Sequence, residues 1–272
     1  CNLTTVNASD IHDQDEYNER SKAAAFIGTL QASYTDFHYL RDIWKRTTEK
    51  EALIGVSMTG IASGNVLKLN MAEAARVVKE ENERVAELFG IRKAARTTTI
   101  KPEGTSSLVL GSSSGIHAWH NNYYIRRLRV GKNEAIYEYL SDKHPELVVD
   151  EFFKPNQQAV IEVPQMAPNG AITRQESALQ LLTRVKDVWS GWVRTGHRKG
   201  ENRNNVSTTI TIKDDEWGPV SEWMWENRNV YTALCVLPYT DHSYVQSPFE
   251  DIDEEAYNET VVSLTEINLD NV

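Results

Sequence analysis

Between Glu51 and Ile100 three kinds of segment follow one another: "EALIGVSMTGI", "MAEAARVVKEENERVAELFG" and "TTTI". The first is nearly continuous in apolar residues, as a strand buried on both faces must be. The second repeats its apolar residues at helical spacing, opens at Asn70, a good N-cap, and stops at Gly90. The third is β-branched. This alternation constrains the chain more than any other feature, because an apolar strand, a covering helix and another strand pack as an α/β layer with a mainly parallel sheet.

The rest of the chain extends the pattern. Cys1–Asn7 alternates as a strand, and Ser9 or Asp10 is placed to cap a long helix. Its apolar face would run through Tyr17, Phe26, Ile27, Leu30, Tyr34, Phe37, Leu40 and Trp44. Further strands are expected at Tyr123–Arg129, Gln157–Pro164, Asn204–Ile212 and Val230–Tyr239. Helices are expected at Asn133–Ser141, Glu176–Thr195, Asp214–Asn229 and Asp253–Leu269. No stretch is rich enough in Pro, Gly or Ser to divide the chain, so 1–272 reads as a single domain or part of one.

Charge narrows the function. Thirty-nine acidic against 29 basic residues leave a net charge of −10, which opposes a general nucleic-acid or anionic-membrane binder. No apolar run reaches the ~18 residues of a membrane span. Cys1 and Cys235 are the two cysteines, without CxxC spacing, which argues against a disulfide scaffold or a thiolate zinc site and for a reducing, cytoplasmic setting. Cys235, inside "ALCVLPY", reads as a small core residue, whereas Cys1 lies on a polar-flanked strand within reach of solvent. His117 and His120 are spaced to share a helix face but lack further ligands, so no metal is expected. "YYIRRLR" reads as a strand with one solvated face rather than a nucleic-acid patch.

An anion site must therefore be local. Lys101-Pro102-Glu103-Gly104-Thr105-Ser106-Ser107 follows the β-branched strand as a proline-broken turn with one glycine and three hydroxyls. Such a turn can aim unpaired backbone amides and hydroxyls at a phosphate, although the GxxxxGK[ST] spacing of a P-loop is absent. An ordinary capped turn without a ligand is the alternative.

Taken in order, "CNLTTVN", "LIGVSMTGI", "TTIKPEGTSSLVLGSSSGIH", "YYIRRLRV" and "LPYTDHSYVQSPFEDI" resemble the C-terminal part of the catalytic chain of ribonucleotide reductases. The "KP.GT" loop and "LPY" strand are most similar to class II, the adenosylcobalamin-dependent form. The adjacent tyrosine pair of class I large subunits has no counterpart in "ALCVLPYTD". The resemblance implies the second half of a ten-stranded α/β barrel, in which a cysteine thiyl radical starts the reduction of ribonucleotides to deoxyribonucleotides. It implies that Cys1 is one member of the redox pair that reduces the substrate. It also implies that Glu103, Gly104, Thr105, Ser106 and Ser107 form the loop for the substrate's phosphates. Implied partners are a ribonucleotide di- or triphosphate, a thiol reductant such as thioredoxin, and an N-terminal half. The family's NLCxE segment and C-terminal shuttle cysteines do not occur here, so on this reading the chain is inactive alone. Its start at Cys1 would then reflect an intein junction, a split gene or a cut chain. The competing readings are a class I large-subunit segment, a non-enzymatic α/β phosphate- or nucleotide-binding module, and a chain serving mainly as an assembly partner.

Overall fold

The computed structural model describes residues 1–240, 244–268 and 270. In chain order the elements are β1 (Asn2–Asn7), α1 (Gln14–Ala32), α2 (Asp42–Glu51), β2 (Ile54–Thr59), α3 (Met71–Phe89), α4 (Ser106–Val109) and β3 (Tyr123–Gly131). They continue with α5 (Ala135–Lys143), β4 (Val148–Asp150), β5 (Gln158–Met166), α6 (Ala178–Val188), β6 (Thr209–Ile212), α7 (Trp217–Glu226), β7 (Cys235–Pro238), β8 (Phe249–Asp251) and α8 (Glu254–Ser263). No linker-like composition marks a boundary, yet the residues gather into two compact units. Cys1–Trp119 with Gly170–Tyr239 make the first, and His120–Asn169 with Thr240–Val272 the second.

The first unit is built on a parallel ladder. β1 pairs with β2 in register from Asn2↔Ile54 to Asn7↔Thr59. Single bridges then carry the ladder across Val56↔Thr98 and Ile100↔Val206, and β6 pairs with β7 from Thr209↔Cys235 to Ile212↔Pro238. The lateral order is thus β1, β2, the Thr97–Ile100 segment, β6, β7, all parallel, with β1 and β7 at the two margins among the described residues.

One face of this ladder is apolar. Val6, Ile54, Val56, Met58, Ile100, Val206, Ile210 and Ile212 lie in one cluster with Tyr17 and Ala25 of α1, Val78 of α3 and Leu182 and Val185 of α6. Each fully buried aliphatic side chain contributes roughly 1.5–3 kcal/mol through removal from water. Trp192, in the π-helical turn Trp189–Val193 that extends α6, closes the cluster. Its indole N–H donates to Val56 O (3.1 Å) and Thr99 O (3.2 Å), and its ring stacks on Tyr17 at 5.8 Å.

Helix limits follow their caps. Asn70 accepts from Glu73 N and Gly90 ends α3 in the left-handed region at φ +66°, as the sequence indicates. The long helix expected from Tyr17 to Trp44 is instead two helices. Asp13, rather than Ser9 or Asp10, caps α1, which ends at Ala32, and Trp44 lies on α2, which buries no residue. α1 turns Ser21, Ala24, Ala25, Gly28 and Ala32 inward and leaves Phe26 and Ile27 exposed. Small side chains let the helix approach β1 and α3 closely, so the smooth stripe rather than the bulky one became the packed face. α7 starts at Trp217, three residues beyond the Asp214 start expected for it.

The second unit departs from the parallel pattern. β4, β5, β3 and β8 form an antiparallel sheet in that order, with Tyr123↔Met166 through Gly131↔Gln158 joining β3 to β5. The strands at Tyr123–Arg129 and Gln157–Pro164 exist, but a strand's own residues do not announce the direction of its partner. In "YYIRRLR" Leu128 and Arg129 are exposed, whereas the Arg127 side chain is largely buried and ion-paired. Arg127 meets Glu162 (2.6 Å) and Glu250 (2.5 Å). The Leu237–Ile252 stretch is divided between β7 and β8, and Asp241, His242 and Ser243 within it lie outside the described residues, as does Leu269 at the expected end of the last helix. Among the described residues, no helix is long and apolar enough to cross a membrane.

Candidate functional site

Opposite the apolar cluster, the parallel ladder shows a different chemistry. In a strand successive side chains alternate faces. Thr4 turns toward α1, donating to Ala24 O at 3.1 Å, so Cys1, Leu3 and Thr5 point the other way. Their register partners Gly55 and Ser57 share that face, with Thr99 beside them. A Cβ built on Gly55 would lie 2.7 Å from Leu3 Cδ2, 3.0 Å from Thr99 Cγ2 and 3.5 Å from Cys1 Cβ. On the far side Ile210 and Ile212 face the core, which turns Thr209 and Thr211, and with them Cys235 and Leu237, to this same face. Small and hydroxyl-bearing residues thus line this face, which is exposed at its margins, at Cys1, Leu3, Thr211 and Cys235, and buried at Gly55, Ser57 and Thr99.

Cys1 is exposed at one margin. Its thiol lies 3.7 Å from Asn204 Oδ1, and the Asn204 amide is oriented by donating Nδ2–H to Thr98 O at 2.9 Å. Asn204 is a site residue that sequence reasoning missed, since an asparagine opening a strand reads as a turn or cap residue. Cys235 is exposed rather than buried, contrary to its expected place in the core. It begins the marginal strand β7 on the polar face, and apolar neighbours in sequence bury a residue only where both faces of the strand are packed. Both cysteines are free, at the starts of the strands on the two margins of the ladder. No disulfide joins these two thiols.

The Lys101–Ser107 turn sits at the carboxyl ends of these strands, where ligands of open α/β sheets bind. Lys101 N donates to Ser57 Oγ (3.0 Å). The Glu103 carboxylate is wholly buried and ion-paired with Lys101 Nζ at 2.6 Å, and it accepts from Thr5 Oγ1 at 2.6 Å. Ser107 N donates back to Glu103 O, starting the four-residue α4. Between these fastenings the amides of Gly104, Thr105 and Ser106 donate to no acceptor among the described residues. Gly104 and Thr105 are exposed, Ser106 partly so and Ser107 buried. No atom comes within 4 Å of a Cβ built on Gly104, whereas Gly115, at φ +56°, would place one 2.8 Å from Lys101 O. The five residues expected to bind phosphate therefore divide: Glu103 turns inward, and the free backbone donors run from Gly104 to Ser106.

The chain beyond the turn is fixed by a histidine. His117 donates Nδ1–H to Ser114 O (3.0 Å), and Nε2 accepts from Thr209 N (3.0 Å). Burial holds its pKa below the ordinary value. His117 and His120 sit on non-helical chain, so they share no helix face. Among the described residues no three His, Cys, Asp or Glu side chains are grouped to hold a metal ion.

A polar face on a parallel α/β sheet, with a thiol at one strand start and free amides beyond the strand ends, marks a candidate ligand-binding surface. Several known proteins are similar to this chain. A probable adenosylcobalamin-dependent ribonucleoside-triphosphate reductase of Dictyostelium discoideum is 28% identical over 236 residues, 79% of this chain and 28% of that protein. The adenosylcobalamin-dependent ribonucleoside-triphosphate reductase of Euglena gracilis is 25% identical over 274 residues, 94% of this chain and 35% of that one. The Lactobacillus leichmannii enzyme is 27% identical over 198 residues, 70% and 25% of the two chains. A crystal structure of a B12-dependent (class II) ribonucleotide reductase superposes with a TM-score of 0.81 at 20% identity, over 98% of this chain and 40% of that one. No family model matches. The resemblance to class II reductases thus holds in sequence and in fold, and this chain spans about a third of the length of the relatives it matches.

Proposed function

We propose that this chain is the C-terminal segment of an adenosylcobalamin-dependent ribonucleotide reductase, acting on a ribonucleotide di- or triphosphate. In this reading it forms the second half of a ten-stranded barrel, with the polar face turned inward. One observation carries the proposal: Cys1 and the Lys101–Ser107 turn lie on a single face, bridged by β1. Thr5, bonded to Glu103, is four residues from Cys1, about 13 Å along the strand. A nucleotide with its phosphates on the Gly104–Ser106 amides spans that interval and sets its ribose near the thiol.

Cys1 then supplies one of two thiols. Substrate and dithiol react so that the ribose 2′-hydroxyl leaves as water, the 2′-carbon gains hydrogen, and two electrons leave the thiols as a disulfide forms. Cys235 lies on the opposite marginal strand and is not bonded to Cys1, so in this reading the second thiol comes from a complementary N-terminal segment. A thioredoxin-like reductant restores both. Adenosylcobalamin, when bound, supplies the radical that initiates the reaction. Both ring nitrogens of His117 are engaged, and nothing in the geometry of the described residues singles out a surface for the corrinoid.

The test is complementation. Mixed with an N-terminal segment carrying the thiyl cysteine and supplied with adenosylcobalamin, the chain should support reduction of ribonucleotides by a thiol reductant. Cys1→Ser should then abolish multiple turnover. Normal cycling of the serine variant would refute the redox role, and nucleotide binding without reduction would leave only a binding module.

A further inference from the structure

Glu103 is the one carboxylate in a turn assigned to an anion, which invites the question of what it does there. Its side chain is fully buried, and a buried carboxylate persists only when paired and hydrogen-bonded. Both conditions are met from the turn and from β1: Lys101 Nζ at 2.6 Å and Thr5 Oγ1 at 2.6 Å. We propose that Glu103 is a positioning residue that never touches the phosphate, latching the Gly104–Ser106 amides to the strand that carries Cys1. The proposal rests on the phosphate reading of that turn and adds the element that sets the spacing between phosphate and thiol.

The geometry makes the latch specific. Lys101 N is fixed to Ser57 of β2, Glu103 to Thr5 of β1, and Ser107 N closes on Glu103 O. The turn is thereby pinned to two adjacent strands on the polar face, and only the stretch between the pins keeps unused donors. Lys101 cancels the carboxylate's charge, so the turn meets an anion without repulsion from Glu103. A carboxylate in direct contact with phosphate would instead need to face the open side, where Gly104 points.

A double-mutant cycle on the 272-residue chain tests this, with inorganic tripolyphosphate as the titrated probe in calorimetry. Thr5→Val and Glu103→Ala should each weaken binding about tenfold, and the double variant should be no weaker than either, because both remove one interaction. Thr5→Ser, which keeps the donor, should restore affinity to within about twofold. Independent effects that multiply to about a hundredfold, or a Thr5→Val variant that binds normally, would overturn the latch. Amide hydrogen exchange of the ligand-free chain separates the two readings: the hydrogen-bonded amides of Ser107, Leu108, Val109 and Leu110 should exchange faster in Thr5→Val and Glu103→Ala. Faster exchange in a chain that binds no tripolyphosphate would keep the latch and remove the phosphate assignment. Unchanged exchange would remove the latch itself.

Discussion

Gly104 and Gly115 belong to one stretch of chain and respond to a side chain in opposite ways. A methyl at Gly104 meets no protein atom and requires no positive φ, so Gly104→Val should leave the melting temperature within about 2 °C of wild type. The same side chain enters the space in front of the free amides and should weaken tripolyphosphate binding at least tenfold. Gly115→Ala puts a carbon against Lys101 O in a backbone conformation that disfavours it, and should cost about 1–3 kcal/mol in urea unfolding. His117 gives the site a pH dependence of defined sign. Its folded-state pKa is lowered by burial, so the folded chain resists a proton that the unfolded chain accepts. The neutral ring's contribution is intact above the unfolded value of about 6.5 and is lost as pH falls through the lowered folded value. Thermal unfolding followed from pH 7.5 to 5 should show a steeper decline for wild type than for His117→Gln, which has no ring to titrate.

Among the elements, the best-signalled ones carry their own chemistry at both ends. Asn70 and Gly90 bound α3 in sequence and in structure, and Asn70→Ala should destabilise the fold by about 1 kcal/mol in chemical denaturation. β2 was legible for a similar reason: a strand buried over its whole length must be apolar or small throughout. The α1–α2 break was not legible, because the bulky repeat at Phe26, Ile27 and Tyr34 mimics a core stripe while the packing is made by alanines and a glycine. Nor was the direction of β3 and β5, which depends on partners distant in sequence. In the site, the turn at Lys101–Ser107 could be found from proline, glycine and hydroxyls alone. The inward turn of Glu103 could not, since it depends on Thr5, 98 positions away. Trp192 illustrates the same point on the helical side. Its indole N–H satisfies carbonyls of two strands at once, and Trp192→Phe should cost about 1–3 kcal/mol, measured by urea unfolding.

At the scale of the molecule, the ladder separates two functions by face: one side is the cohesive core of its unit and the other is polar and exposed at its margins. On the proposed reading, that division lets an acidic chain offer an anion site without a basic patch, since backbone donors need no net charge to bind phosphate. It also leaves β1 and β7 each with one side that pairs with no other described strand. Rows of unsatisfied main-chain groups at a sheet's rim recruit whatever extended chain is offered, and proteins that keep such rims usually blunt them with charge or proline. β7 ends on Pro238, but β1 has neither safeguard. Kept by itself at rising concentration, this polypeptide should therefore self-associate through β1 in sedimentation velocity, and a lysine at Leu3 should suppress that behaviour. A sheet with an unguarded rim is a surface built to be finished by another strand.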